Sequence, residues 1–291
     1  MAEYFTARGL PVPPELRRTP LTEWRRTFAI ALAIAVFYIS FKVTDIDTSR
    51  ANLPYALSVV GQLLHFDFLP PHDLSKSVLF PQNEFETFWD GAVGLMVITI
   101  FLGILGTAFG MLIAIPLSFL GARNIMAGNR VTMSIYVAVR LVFTIIRSID
   151  VLIVVIVGAI IFGLGNAAGV FGIAFHNIGV MGKLYSEAIE GIESGPVEAI
   201  TATGASRFQV IWAAVLPQLF NPFVSFSVYR LDTNVRLAQV IGFVGGGGIG
   251  QPLFANIQLL RYPQAGTFIL LVVITVAAMD FASAQIRRRL V

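Results

Sequence analysis

Long runs without a charged side chain, separated by short polar or glycine-rich segments, dominate the pattern along this chain. A hydrocarbon core of about 30 Å takes about 20 apolar residues as a helix. Six stretches meet that requirement: 27–43, a span within 91–122, 141–163, 167–185, 218–244 and 265–282. The first follows Arg17, Arg18, Arg25 and Arg26, but the basic leader is long and no small-residue cleavage site follows, so it predicts a retained anchor and not a signal peptide. The second holds Gly106-Thr107-Ala108-Phe109-Gly110, whose small residues four apart would let another helix approach closely. Gly163-Leu164-Gly165-Asn166 reads as the turn between the third and fourth spans. Gly242 to Gly250 is too glycine-rich for an ordinary helix and predicts a flexible break where the fifth and sixth spans meet or bend, structural or gating. Leu53 to Leu64 is amphipathic enough to lie along a membrane surface. The fold class is therefore all-α and polytopic, with about six transmembrane helices, no internal repeat and no second domain.

Composition supports that class. Of 291 residues 56% are hydrophobic and 13% charged, against about 25% charged in an average soluble domain. Basic residues near span ends orient a chain with those ends inside. Arg8, Arg17, Arg18, Arg25 and Arg26 in a leader over 1–26, and Arg287, Arg288 and Arg289 in a tail over 283–291, place both termini in the cytoplasm of an inner (cytoplasmic) membrane. The even number of crossings agrees, and it puts 44–90 outside and 186–217 inside. The outer acids Asp45, Asp47, Asp67, Asp73, Glu84, Glu86 and Asp90 lack calcium-loop spacing and read as a solvated loop. The net charge of +3 reflects membrane orientation, so no nucleic-acid partner is expected. With no cysteine, and with His65, His72 and His176 scattered, neither a metal site nor a nucleophile is legible, and no cofactor is expected. Gly245, Gly247 and Gly250 fit a dinucleotide fingerprint by spacing alone, without the strand, helix and acid it needs; no Walker lysine follows them.

The most informative stretch lies after the fourth span. Gly195-Pro196 reads as a helix start with proline first, and Glu198 lies near the positive end of its dipole. The helix reaches Thr203 and stops at Gly204. Ser206 with Gln209 forms a capping box for a second helix that ends at Leu216-Pro217. Two helices on a glycine turn, too small to have a core, make a handle that another protein can grip.

Glu198-Ala199, Gly204 six residues after the glutamate, and Leu216-Pro217 resemble the EAA loop of ABC importer permeases, with Ile200 and Ala214 departing from the usual alanine and isoleucine. Leu120 to Asn124, Arg147-Ser148-Ile149, Gly182 to Glu190, Asn234-Val235-Arg236 and Gly245 to Gly250 extend the resemblance to the phosphonate-type permeases over roughly Phe85 to the C-terminus. Asp150 replaces the family's usual proline, and Leu231-Asp232 its Trp-Glu. The resemblance implies a type I importer transmembrane fold, a homodimer in membrane lipid with the pore at its interface, and separate ABC ATPase subunits. A substrate-binding protein would deliver phosphonate, or phosphite or phosphate, at the outer face. It implies that Glu198, Ala199, Gly204, Ala205, Ser206, Arg207, Leu216 and Pro217 couple to the ATPase and that the chain itself catalyses nothing.

Charges inside spans mark a pathway unless they are paired for structure. Arg147 with Asp150, and Asp232 with Arg236, are three and four apart, so each pair can neutralise itself on a helix. Arg230 and Arg236 either attract an oxyanion through the pore or snorkel and pair to fix their helix. His176 and Asn177 of the fourth span face the pore or a neighbouring helix, and Asn234 lies on the fifth span with Arg230 and Arg236. A secondary transporter of small anions is the alternative, although ion-coupling acids and repeated halves are not evident; an intramembrane enzyme lacks a nucleophile.

Overall fold

The structure is a computed structural model that describes residues 8–9, 20–44, 52–66 and 91–288. Most of the expected leader, most of the external segment including its seven acids, His72 and the last three residues lie outside the described residues. The chain forms two compact units, residues 1–57 and 58–291, where the sequence reading expects one domain. In the first, α1 (Pro20–Val43) is exposed over its apolar stretch Trp24–Val43.

The elements that follow are α2 (Leu53–Leu63), α3 (Ala92–Leu120), α4 (Arg123–Met126), α5 (Arg130–Ser148), α6 (Val151–Phe162) and α7 (Asn166–Glu190). Next come α8 (Ser194–Ala202), α9 (Arg207–Val210), α10 (Leu216–Ile241), α11 (Gly250–Gln258) and α12 (Tyr262–Arg288). Among the described residues there is no strand, and six helices are long and apolar enough to cross a membrane.

The core is the parallel packing of α3 on α7, with Gly106 level with Ile173 and Gly121 level with Ser186. A Cβ added at Gly106 would fall 2.6 Å from Ile173, and one at Gly110 2.5 Å from the Asn177 side chain. The small residues thus bring the two backbones into contact, which in a lipid solvent is the main source of helix association. The same device recurs along α7, where Gly172 meets Val155, Gly179 meets Ile146 and Gly182 meets Phe143.

Those contacts set the depth of the third crossing, and here the expected continuous span over 141–163 is corrected. The chain breaks at Ile149-Asp150 into α5 and α6, because Asp150 turns its carboxylate onto the Leu152 amide at 2.8 Å and caps a new helix. Arg140 lies level with Gly121 and Glu190, where α3 and α7 end. The part of α5 before it therefore projects beyond the bundle, and residues 140–162 run the length of α7. Arg147 and Asp150 consequently do not share a helix, contrary to the pairing expected from their spacing.

The glycine-rich segment is also not a loose break. Gly246 to Gly250 are buried, Gly245, Gly247 and Gly248 have φ of 86°, 78° and 69°, and the Ile249 amide donates to Thr99 Oγ1 at 2.8 Å. The Gly165 amide donates to the Gly245 carbonyl at 2.8 Å, tying the segment to the α6–α7 turn. A packed plug results, continued by α11. Beside it, Ala92, Met96, Ile249, Leu253, Ala265 and Phe268 form a core cluster, against which Leu63 of α2 packs.

Candidate functional site: an exposed handle and a polar layer in the bundle

The handle is built as two short helices, with its turn in the αL conformation. Gly204 has φ 80° and its amide donates to the Thr201 carbonyl at 3.0 Å. That region is open to glycine and strained for a side chain. Ser206 and Gln209 form the reciprocal capping box, with the Ser206 amide donating to Gln209 Oε1 at 2.8 Å. Glu198, Ala199, Gly204, Ser206 and Arg207 are exposed, Ala205 and Leu216 are half-buried, and Phe208 and Trp212 stand out at 74% and 68% exposure. Beneath them Val215 and Leu219 pack with Ala122 and Ile189, so the handle is seated on the ends of α3 and α7.

Two details differ from the sequence reading. First, α8 begins at Ser194, which places Pro196 third and not first; any of the first helical amides lacks a partner, so proline is tolerated there too. Second, the helix after the turn does not end at Leu216-Pro217. It continues from α9 through a π-helical turn, Ile211–Val215, into α10. Pro217 has no N–H to give the turn before it, and the widened turn absorbs that loss. Arg207 to Ile241 is one rod. Residue 230 lies 23 positions along it, roughly 35 Å at 1.5 Å per residue.

A node that the sequence reading missed fastens the handle end of the bundle. Arg140 donates through Nε to the Gly121 carbonyl at 2.8 Å and pairs through Nη2 with Glu190 Oε2 at 2.7 Å. The other Glu190 oxygen accepts from the Arg123 amide at 2.8 Å, and Asn124 Nδ2 donates to the Ile189 carbonyl at 2.6 Å. Four chain segments are tied at one level, four residues before the handle begins. The guanidinium suits this task because it can donate to a carbonyl and ion-pair with a carboxylate at once.

The polar residues singled out within the spans come together as a layer near the middle of α3. Arg230 donates to Asn177 Oδ1 through Nη2 at 2.8 Å and Nε at 3.3 Å, and to Asn234 Oδ1 at 3.3 Å. Asn234 Nδ2 in turn donates to Thr107 Oγ1 at 2.9 Å, whose own hydroxyl donates to the Gly103 carbonyl at 2.6 Å. Asn177 and Asn234 are fully buried. The His176 ring lies against the Ile149 backbone, in electrostatic range of Arg147, Asp150 and Arg230. Arg236 lies on a different face of α10, hydrogen-bonded to Asp232 and ion-paired with Asp280 of α12 at 2.7 Å. Thr107 and Asp280 had no signal in the sequence beyond being polar in apolar runs. Among the described residues no group of three or more His, Cys, Asp or Glu side chains is placed to hold a metal.

Residues 106–291 match the family model described as binding-protein-dependent transport system inner membrane component. The chain is 35% identical over 66% of its length to the phosphate-import permease protein PhnE of Mycolicibacterium smegmatis, and spans only 36% of that relative. To the putative phosphite transport system permease protein HtxC of Stutzerimonas stutzeri it is 31% identical, over 90% of this chain and 86% of that one. Its fold is similar to an inward-facing MetNI methionine ABC transporter, with a TM-score of 0.60 at 24% identity, covering 69% of this chain and 96% of that chain.

Proposed function

The chain belongs to the binding-protein-dependent transport system inner membrane components, and on that premise we propose that it is the permease subunit of an ABC importer for phosphonate or a related phosphorus oxyanion. The exposed handle on Gly204 carries this reading, because a chain that moved solute unaided would not need it. A separate ATPase grips Glu198 to Arg207, and two copies of the chain enclose the pore. A binding protein delivers substrate at the opposite end, and both termini face the ATPase. Nucleotide binding draws the two handles together, hydrolysis releases them, and the chain makes and breaks no bond.

The rod from Arg207 to Ile241 supplies the transmission. A rigid helix converts a shift at the handle into a shift of the polar layer, while the Arg140–Glu190 node holds the ends of α3, α5 and α7 together. The midplane layer is where the path narrows. Relatives named for phosphate import and phosphite transport support the substrate class, as does the cationic character of the layer. A secondary transporter of anions remains a rival only if the chain works alone.

Gly204→Val tests the reading. Its φ of 80° is unfavourable for a β-branched residue, by roughly 1–3 kcal/mol, and the handle refolds locally while the distant helix packing stays intact. The expected outcome is normal membrane insertion, loss of co-purification with the ATPase subunit, and uptake of radiolabelled phosphonate below about a tenth of wild type. Uptake by wild-type chain reconstituted without any ATPase would refute the proposal.

A further inference from the structure

We propose that Arg230, with Asn177 and His176, is an oxyanion station inside the bundle, where a phosphorus oxyanion pauses during translocation. The proposal rests on the import reading above and adds to it a specific site.

The first ground is charge. Arg230 is joined through Asn234 to Thr107, the sixteenth of the 29 residues of α3, so it is near the middle of the crossing. Its partners are neutral amide oxygens, and among the described residues the ion pairs of α10 belong to Arg236 alone. A cation at that depth is strongly disfavoured without a counter-charge or water. Acids do come within reach of this helix, since Arg236 holds Asp232 of α10 and Asp280 of α12. Among the described residues Arg230 has no counter-charge, and in this proposal the cargo supplies it.

The second ground is the surplus of donors. Arg230 uses Nε and Nη2 on Asn177 and Asn234, which leaves Nη1 uncommitted. Asn177 Nδ2 and His176 Nδ1 are buried without a partner, although buried polar atoms are almost always satisfied. The one nearby carboxylate, Asp150, is engaged with the Leu152 amide, and Arg147, Asp150 and Arg230 together carry a net positive charge around the His176 ring. Arg230 Nη1 and Asn177 Nδ2, two unfilled donors beside a net positive centre, are the complement of a tetrahedral oxyanion. A single full charge supported by amides also binds weakly enough for release, which a pathway requires.

The station also lies on the rod that begins at the handle. A shift of that rod moves Arg230 relative to Asn177 of α7, so its donors converge in one state and separate in the other. The grip on the anion is thereby tied to the nucleotide cycle.

The experiment uses the permease with its ATPase subunits and binding protein in proteoliposomes, with methylphosphonate, phosphite and inorganic phosphate as probes. Arg230→Gln is expected to lower uptake at least tenfold while assembly with the ATPase is retained, and Arg230→Lys to keep part of the uptake. In detergent, millimolar probe should raise the melting temperature of the wild-type complex relative to chloride of equal ionic strength, and should not raise that of Arg230→Gln, which melts no lower than wild type. Arg230→Gln uptake within twofold of a transporting wild type overturns the station and leaves the import reading standing. So does an Arg230→Gln chain that melts well below wild type and fails to assemble, because Arg230 would then be fixing helices. A wild-type complex that imports none of the three overturns the import reading and the station with it.

Discussion

Arg230 and Arg236 lie six residues, about 9 Å, apart along one helix, and their surroundings differ in kind. The first is held by the amide oxygens of Asn177 and Asn234, and the second by the carboxylates of Asp232 and Asp280. Six residues turn an α-helix by about 240°, so Arg230 meets α7 while Arg236 meets α12. The difference teaches that an intramembrane arginine cannot be interpreted from its presence alone. A cation closed by its own acids is a crosslink, whereas a cation left open among donors is a receptor. Arg236 and Asp280 are each about half exposed, at 47% and 49%, which is tolerable in a membrane only where water or a second copy covers them.

The sharpest way to break the comparison is to unbalance the crosslink. Asp232→Asn leaves a nearly buried position, 6% exposed, without its charge while Asp280 still holds Arg236. The expected cost is about 2 kcal/mol, less than the 3–5 kcal/mol of a fully buried pair because one acid and some solvent remain. Denaturation of the purified complex reads it, and no loss of stability would show the pair to be incidental. The converse change closes the open arginine. Asn177→Asp gives Arg230 a resident carboxylate, so uptake of phosphite is expected to fall roughly tenfold, about 1.4 kcal/mol, while the melting temperature does not fall. Unchanged uptake in that variant would equate the two arginines. The mildest test is Thr107→Val, which removes the hydroxyl that accepts from Asn234 Nδ2 at 2.9 Å. A stability loss of about 1 kcal/mol is expected, with uptake reduced only slightly, since Asn234 supports Arg230 without being an open donor.

Much of the architecture was legible because the bilayer imposes one length on every span. Runs of about 20 apolar residues between charged ends can hardly be placed elsewhere, and the Gly204 turn and the Ser206–Gln209 box are local signals whose geometry depends on neighbours in sequence. The break at Asp150 was not legible, since an aspartate three positions after an arginine reads equally well as a helical ion pair and as a cap. Continuity from Arg207 to Ile241 was hidden for a related reason. Proline is the strongest helix breaker in a sequence, and only packing of Val215 and Leu219 on Ala122 and Ile189 makes a π-helical turn the better solution.

Arg140 had no signal because its partners, Gly121 and Glu190, are 19 and 50 residues away in opposite directions. By itself the chain of residues determined what depends on composition and near neighbours: membrane residence, the number of spans and the glycine-hinged handle. Only the tertiary structure decided which arginine is neutralised and which is open, because that depends on whether a carboxylate from a distant helix comes within ion-pair reach. Charge balance in a low-dielectric layer is a property of proximity in space, and sequence order does not encode it locally.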